Sequence, residues 1–227
     1  MTSKELRPAN FINIHCHRLS SEKSIFSYNP GINDLPKGVL FSIGIHPWSL
    51  SGEIIPQLQA MSEVYNLAQD NKCLMVGESG IDRMRGPNLE FQEDSLREHI
   101  RISEELEKPL ILHNVRGLDV ILKLHREMRP KQAWILHDFN GNDIQIKQIK
   151  GKNIFASLGP TFMRDNSKIA QFATDLDIKT IFFETDDAKD LKICAVYEKY
   201  AGLLNMELQT LCDQIEKNFS NLFGSNV

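Results

Sequence analysis

The chain has 227 residues, of which 41% are hydrophobic and 25% are charged. This composition is typical of a folded globular protein and excludes a disordered or fibrous chain. The length suits a single domain, which we predict to span residues 1–227. The net charge of −4 excludes the basic surface of a dedicated nucleic-acid-binding module. It does not exclude an enzyme that holds a phosphodiester through bound metal ions.

Two further features concern the compartment and the partners. The N-terminal segment is polar, and no apolar run reaches the length of a membrane span. We therefore expect a cytoplasmic protein with no membrane association and no obligate protein partner. The cysteines are scattered and form no Cys-x-x-Cys pair, which predicts reduced thiols rather than disulfides or a structural zinc site. They are Cys16, Cys73, Cys194 and Cys212.

An apolar run at residues 11–17 ends in two histidines, His15 and His17, with one residue between them. On a strand, side chains two positions apart share a face, so the two imidazoles would point to one spot. Such a pair is suited to bind a metal ion, but an isolated His-x-His is more often structural. The other ligands must come from the rest of the chain.

The remaining chain alternates apolar strands with amphipathic helices. Turn residues between residues 18 and 37 leave room for one short strand. The predicted strands are 24–28, 39–45, 73–77, 110–112, 133–136, 153–158 and 180–183. The predicted helices are 54–70, 89–107, 118–128, 144–149 and 167–175, followed by two closing helices, the second with Leu208, Leu211, Cys212, Ile215 and Phe219 on one face.

Polar residues follow the apolar strands at regular intervals. They are His46, Glu78, His113, His137 and Asp186. Intervals of about 25 to 35 residues hold one strand and one helix, and the last, longer interval holds two such units. This alternation predicts a parallel sheet, and in a TIM-like (β/α)8 barrel the carboxyl ends of the strands carry the active site. We expect an α/β barrel of this class, distorted or shortened at its first β/α unit.

Six of these residues make a mixed set of metal ligands. They are His15, His17, Glu78, His113, His137 and Asp186. Each alone has a structural explanation, such as a loop cap or a salt bridge, but six in phase with the strand ends favour a site. The set exceeds one tetrahedral centre and suits two ions bridged by Glu78. Zinc, manganese or nickel fit this donor set, magnesium fits where waters complete its shell, and the sequence does not choose among them.

The other histidines are assigned differently. His99 and His125 fall inside predicted helices, where we expect surface or packing roles. His46 follows a strand, and the residues alone leave it open as a ligand, a substrate contact or a loop residue. Two divalent ions would leave the centre positive against its two carboxylates, which favours a phosphate ester as the bound group.

The sequence resembles the TatD-type metal-dependent hydrolases of the amidohydrolase superfamily. The matching motifs run in family order along nearly the whole chain. They are His15-Cys16-His17, Gly44-Ile45-His46-Pro47, Val76-Gly77-Glu78-Ser79-Gly80-Ile81-Asp82, Pro109-Leu-Ile-Leu-His113, His137-Asp138-Phe139-Asn140-Gly141, Glu184-Thr185-Asp186, and Asn218-Phe219 with Phe223. The resemblance implies a distorted (β/α)8 barrel, one or two metal ions on the same six ligands, and hydrolysis of phosphodiester bonds in DNA.

The sequence also departs from the family pattern in several places. Asn13 replaces an aspartate, Trp48 replaces the second histidine of His-Pro-His, and Arg116 alone stands near the position of an expected basic residue. Asp187-Ala188-Lys189 replaces the residues that usually follow Glu-Thr-Asp, and the region of residues 20–36 is short. The six ligands are unchanged, so these differences concern the substrate-binding rim.

We interpret the chain as a TatD-type deoxyribonuclease that acts on DNA or another phosphoester with a metal-activated water. Glu78 and Asp186 would be the catalytic pair, with Asp186 accepting the proton of the water. His46 and Arg116 would hold the phosphate. Two alternatives remain: an amidase or lactonase of the same superfamily, and a metal-binding barrel that has lost catalysis and acts as a binding protein.

Overall fold

The computed structural model describes residues 11–19 and 22–224. In these residues the strands are β1 (Ile12–Cys16), β2 (Lys23–Tyr28), β3 (Leu40–Ile43), β4 (Cys73–Asp82), β5 (Leu110–Val115), β6 (Trp134–Leu136), β7 (Ile154–Leu158) and β8 (Ile181–Phe183). The helices are α1 (Ile54–Ala68), α2 (Leu89–Glu105), α3 (Leu118–Met128), α4 (Asp143–Ile149), α5 (Lys168–Phe172), α6 (Ile193–Leu203) and α7 (Leu208–Phe223). Short 3-10 turns lie at Pro47–Ser49, Ala173–Asp175 and Ile178–Thr180.

The strands form one sheet whose spatial order, β1 to β8, is the order of the chain. The pairs from β2 to β6 are parallel, as is the pair of β7 and β8. A parallel bridge between Cys16 and Asp186 joins the end of β1 to the residues that follow β8. Sequential parallel strands, with the last bridged to the first, define the (β/α)8 barrel class, so the predicted fold is confirmed.

The first part of the chain is shortened, as expected. Within the described residues 17–19 and 22–39, no helix lies between β1 and β2 or between β2 and β3. The strand expected at residues 24–28 is present as β2. The predicted shortening at the first β/α unit is therefore a loss of helices and not of the second strand.

The chain divides into two compact units. One consists of Ile25–His137 and Gly151–Ile154, and it holds most of β2, the strands β3 to β6 and the helices α1 to α3. Its interior includes Leu96 and Ile100 of α2, which lie on the apolar face that the sequence predicts. The prediction of a single domain over residues 1–227 stays a prediction.

The other unit consists of the described residues of Met1–Ser24, Asp138–Lys150 and Phe155–Val227. The buried Tyr197 of α6 ties its interior together, because its hydroxyl donates to the carbonyl of Ile12 and accepts from the amide of the same residue, both at 3.0 Å. The amide of Asn218 in α7 donates to the carbonyls of Ile178 and Ile181 at 2.8 and 3.0 Å. These contacts fix α6 and α7 beside β1 and β8.

The structure corrects the predicted end of β4. The sequence predicts a strand at residues 73–77, but β4 runs ten residues, to Asp82, and is buried along its whole length. Gly77 and Gly80 have φ angles of +108° and +151°, and a Cβ on either would lie 2.2 Å or less from a carbonyl oxygen of β5. The glycines therefore do not end the strand. They allow its backbone to pass unusually close to β5.

His99 is a packing residue, which confirms the assignment made from sequence. Its side chain is fully buried in α2, with Nδ1 2.7 Å from the carbonyl of Ser95, while Nε2 accepts from the amide of Ile45 at 3.0 Å. These contacts select the neutral imidazole protonated on Nδ1. Burial lowers the pKa of His99 from 6.5 to about 4.

This lowered pKa predicts a pH-dependent stability. As the pH falls from 6.5 to 4, the unfolded chain takes up a proton at His99 while the folded protein does not, so the free energy of unfolding decreases. The full effect is about 3 kcal/mol. His99→Gln keeps a donor and an acceptor but cannot titrate, so urea unfolding at pH 7 and pH 4.5 should show a smaller loss in the variant. Equal losses in both proteins would contradict this account.

Two remaining expectations concern thiols and membranes. All four cysteines are free, as predicted. Among the helices of the described residues, none is both long and apolar enough to cross a bilayer. The cytoplasmic location stays a prediction.

Candidate metal centre

Three histidines contact the carboxylate of Glu78 in the unit that contains residues 25–137. Its Oε1 atom lies 3.1 Å from His46 Nε2, 3.0 Å from His113 Nδ1 and 2.9 Å from His137 Nε2. His113 Nδ1 is also 3.1 Å from His137 Nε2. Glu78, His113 and His137 are all buried. Three histidines singled out in the sequence therefore converge on one carboxylate oxygen, and together with Glu78 they form the first cluster.

The pairing of β4 with β5 explains why His113 reaches this point. His113 is the register partner of Gly80, which lies midway between Glu78 and Asp82 on β4. Side chains two positions apart on a strand share a face, and a glycine leaves the middle position open. The imidazole of His113 accordingly contacts a carboxylate on each side: Nδ1 faces Glu78 at 3.0 Å and Nε2 faces Asp82 at 3.3 Å.

Asp82 is held as a carboxylate. Its Oδ1 accepts from the amides of Met84 and Arg85 at 2.7 and 3.1 Å, and its Oδ2 accepts from the indole of Trp48 at 2.6 Å. Burial alone would raise the pKa of Asp82, but the hydrogen bonds from Trp48, Met84 and His113 bring it below its usual value. An ionised Asp82 accepts a hydrogen bond from the Nε2–H of His113, which leaves the Nδ1 lone pair directed at Glu78.

His46 has the opposite tautomer. It caps the 3-10 turn Pro47–Ser49, and its Nδ1 accepts from the backbone amide of Trp48 at 3.1 Å. Burial lowers the pKa of His46, more than Glu78 raises it, so the imidazole is neutral at pH 7. A neutral ring that accepts at Nδ1 carries its proton on Nε2. His46 is thus a hydrogen-bond donor toward the cluster, and it offers no lone pair there to a metal ion.

The donor atoms of Glu78, His113 and His137 fit a divalent metal ion. Tetrahedral zinc has ligands at about 2.0–2.1 Å, which places neighbouring donors about 3.3 Å apart. The three atoms lie 2.9 to 3.1 Å from one another. Two neutral imidazoles and one carboxylate form the mixed set that zinc, manganese and nickel accept. These residues would hold the ion.

A second group of expected ligands lies in the unit that contains β1 and β8. The Oδ1 atom of Asp186 is 3.6 Å from His15 Nε2 and 3.4 Å from His17 Nε2. Two backbone bonds fix this arrangement, from the amide of Asp186 to the carbonyl of His15 at 3.1 Å and from the amide of His17 to the carbonyl of Asp186 at 3.0 Å. The structure therefore brings together a second cluster, which consists of His15, His17 and Asp186. The role of Glu78 as a bridge between two ions stays a prediction.

Asn13 supports this second group without a charge. Its amide nitrogen donates to the Thr185 hydroxyl at 2.8 Å, and its carbonyl oxygen accepts from the Thr185 amide at 3.1 Å. An aspartate could accept the amide proton but could not donate to the hydroxyl oxygen. Asn13 thus fixes the residue next to Asp186 through two neutral hydrogen bonds.

The remaining rim residues occupy different positions. Arg116 is exposed one residue past β5, and its carbonyl accepts from the guanidinium of Arg83 at 2.9 Å. Among the described residues, no hydrogen bond or ion pair joins the Arg116 side chain to the four residues of the first cluster, so its role in phosphate binding stays a prediction. The segment after Asp186 forms a turn in which the amide of Ala188 donates to the carbonyl of Thr185 at 3.0 Å.

The sequence matches the model of the family described as TatD related DNase over residues 31–224. That match spans most of the chain. The chain belongs to the TatD-related DNase family. A relative from Buchnera aphidicola subsp. Baizongia pistaciae, named "Uncharacterized metal-dependent hydrolase", is 28% identical over 206 residues, which cover 83% of this chain and 75% of the relative.

Solved structures of TatD proteins share the fold. The TatD homologue YjjV of Escherichia coli K12 superposes with a TM-score of 0.82 at 19% identity, covering 96% of this chain and 99% of that one. A TatD family hydrolase from Entamoeba histolytica gives a TM-score of 0.75 at 14% identity, covering 94% of this chain and 97% of that one. The protein is thus a metal-dependent hydrolase of the TatD family.

The structure adds two positions that the sequence-based assignment of the site does not contain. Asp82 belongs to a sequence motif, but the predicted strand ends at residue 77 and leaves Asp82 outside it. A strand that continues through its glycines, as β4 does, places Glu78 and Asp82 on one face by the period of two. Trp48 is a departure from the family pattern, and no sequence signal pairs its indole with Asp82.

The tautomer of His113 gives a prediction about metal affinity. Asp82→Asn can present an amide nitrogen to His113 Nε2 and so removes the preference for a free Nδ1 lone pair. We expect the affinity for Zn²⁺, measured by competition with a chelator, to fall about 10- to 100-fold. Asp119→Asn is a suitable control, since Asp119 pairs with Arg83 on the surface. Unchanged affinity in Asp82→Asn would show that this carboxylate does not orient the ligand.

Proposed function

We propose that this TatD protein hydrolyses phosphodiester bonds in DNA with the help of one or two bound divalent metal ions. The observation that carries the proposal is the convergence of His113 Nδ1 and His137 Nε2 on Glu78 Oε1, in a member of the TatD-related DNase family. Neutral imidazoles and one carboxylate leave a divalent ion with a net positive charge. Such a centre attracts an anionic phosphodiester even though the protein as a whole is acidic.

Each residue of the first cluster has a defined task in this proposal. A bound divalent ion would supply Lewis-acid stabilisation and lower the pKa of a coordinated water. Glu78, His113 and His137 would position the ion, and Asp82 would hold His113 in the ligating tautomer. His46 would donate its Nε2 proton in a hydrogen bond to a phosphate oxygen, which is where negative charge develops during hydrolysis.

The second cluster would provide the acid–base function. Asp186 lies after β8, and its carboxylate is 21% exposed beside His15 and His17. An accessible carboxylate next to two imidazoles can take the proton from the attacking water and pass it to solvent. His15, His17 and Asp186 are also proposed as metal ligands, which completes the six-residue set predicted from sequence. The phosphate contact of Arg116 is part of the same proposal.

The role of Glu78 is testable by substitution. We expect the purified protein with Mn²⁺ or Zn²⁺ to cleave a single-stranded oligonucleotide, and Glu78→Ala to lose bound metal and at least about 100-fold of the activity. Elemental analysis measures the metal, and gel electrophoresis of a labelled strand measures cleavage. Glu63→Ala provides a matched control, because Glu63 is an exposed carboxylate of the same unit that accepts a hydrogen bond from the Tyr28 hydroxyl at 3.1 Å.

The outcomes separate the proposal from its alternatives. Full metal content in Glu78→Ala would contradict the assigned ligand. Hydrolysis of amide or lactone substrates, with no cleavage of the oligonucleotide, would favour an amidase or lactonase. A metal-loaded protein that hydrolyses neither would favour a binding role.

A further inference from the structure

Trp48 is partly exposed but rigidly held at the margin of the first cluster. Its side chain is 48% accessible, yet its indole nitrogen donates to the buried carboxylate of Asp82 at 2.6 Å. Its ring also meets the rings of His46 and His113 edge-on, with centroids 4.8 and 5.7 Å away. The ring is thus fixed beside two histidines of the site while much of its surface faces solvent.

Arg85 stacks on this ring. Its guanidinium carbon lies 3.8 Å from the centroid of the Trp48 ring. The backbone of Arg85 is anchored by its amide, which donates to Asp82 Oδ1 at 3.1 Å. The next residue, Gly86, has a φ of +89° and approaches the carbonyl of Pro47 so closely that a Cβ would lie 2.6 Å from it. The loop that carries Arg85 is therefore fitted against the turn that carries Trp48.

We propose that Trp48 and Arg85 form a stacking subsite for a nucleobase of the substrate. This inference rests on the proposed function, because it places the base next to a phosphate bound at the neighbouring cluster. Bases stack on aromatic rings and on arginine planes without regard to sequence, since each base has a π-face. A ring already immobilised by Asp82 loses little conformational entropy when a ligand covers it. The guanidinium adds positive charge beside the phosphate backbone.

The subsite has a consequence for the form of the substrate. In a duplex, neighbouring base pairs cover the faces of each base, and a base must leave the stack before it can lie on Trp48. Single strands and frayed ends present such bases at lower cost.

A pair of small ligands tests the subsite without requiring turnover. Deoxythymidine monophosphate and deoxyribose 5-phosphate share a phosphate and a sugar, and only the first carries a base. The full chain loaded with Zn²⁺ should bind the first at least about fivefold more tightly in calorimetry, from the lower end of base–aromatic stacking. The chain has two tryptophans, and Trp134 is fully buried, so quenching of fluorescence on binding reports Trp48.

Variants separate stacking from a purely structural role of the indole. Trp48→Ala should lose the preference for the base, whereas Trp48→Phe keeps a ring without the hydrogen bond to Asp82 and should retain most of it. Arg85→Gln should reduce the preference, and Arg97→Gln should not, because Arg97 of α2 pairs with Glu127 of α3 at 2.8 Å and has no contact with Trp48 among the described ring and ion-pair contacts. Thermal unfolding checks that each variant is folded.

The results that overturn the inference are distinct from those that overturn the proposed function. Equal affinities for the two ligands, or an equal loss in the Phe and Ala variants, would rule out the stacking subsite. An intact base preference in a protein that cleaves no phosphodiester would refute the proposed function and leave the subsite. Cleavage of a phosphodiester without any preference for the base would refute the subsite and leave the proposed function.

Discussion

The close approach of β4 to β5 is the constraint on which the first cluster depends. Gly80 pairs in register with His113, and a Cβ on Gly80 would lie 2.1 Å from the His113 carbonyl. Without side chains at the glycines, the two backbones approach and the imidazole fits between Glu78 and Asp82. One strand thus supplies both Glu78, the carboxylate that would bind the ion, and Asp82, the carboxylate that sets the tautomer of His113.

Hydrogen bonds with groups outside the first cluster explain why His113 and His46 differ in role. The Nε2–H of His113 donates a hydrogen bond to the carboxylate of Asp82, so Nδ1 carries the lone pair. The amide of Trp48 occupies Nδ1 of His46, so Nε2 keeps its proton. A hydrogen bond at the far nitrogen therefore decides which imidazole can ligate and which can only donate.

Much of this arrangement follows from the sequence alone. The spacing of apolar strands predicts that Glu78, His113 and His137 lie near the carboxyl ends of parallel strands, which meet at one face of a barrel. In the structure His137 follows β6, whereas Glu78 and His113 lie within the longer β4 and β5. What the sequence does not reveal is the register of β4 against β5, because it depends on backbone contact at Gly77 and Gly80 and not on hydrophobic periodicity. For the same reason the contact of Trp48 with Asp82, which joins residues 34 positions apart, has no local signal.

The structure shows what two of the departures from the family pattern, Asn13 and Trp48, do. The side chain of Asn13 makes two hydrogen bonds with Thr185. In one of them the amide nitrogen of Asn13 donates to the Thr185 hydroxyl, and an aspartate carboxylate has no such donor. Trp48 supplies an indole proton to Asp82 and presents its ring to solvent. Asn13 is buried and fixes Thr185, whereas Trp48 changes the exposed surface beside His46 and His113.

The most direct test of the central claim is the position of a bound ion. Crystals of the protein soaked in Zn²⁺ and measured at the zinc absorption edge should show an anomalous peak about 2.0–2.1 Å from Glu78 Oε1, His113 Nδ1 and His137 Nε2. His46 Nε2 should stay outside the coordination shell. Absence of a peak at these three atoms in fully soaked crystals, or a peak coordinated by His46 Nε2, would contradict the account.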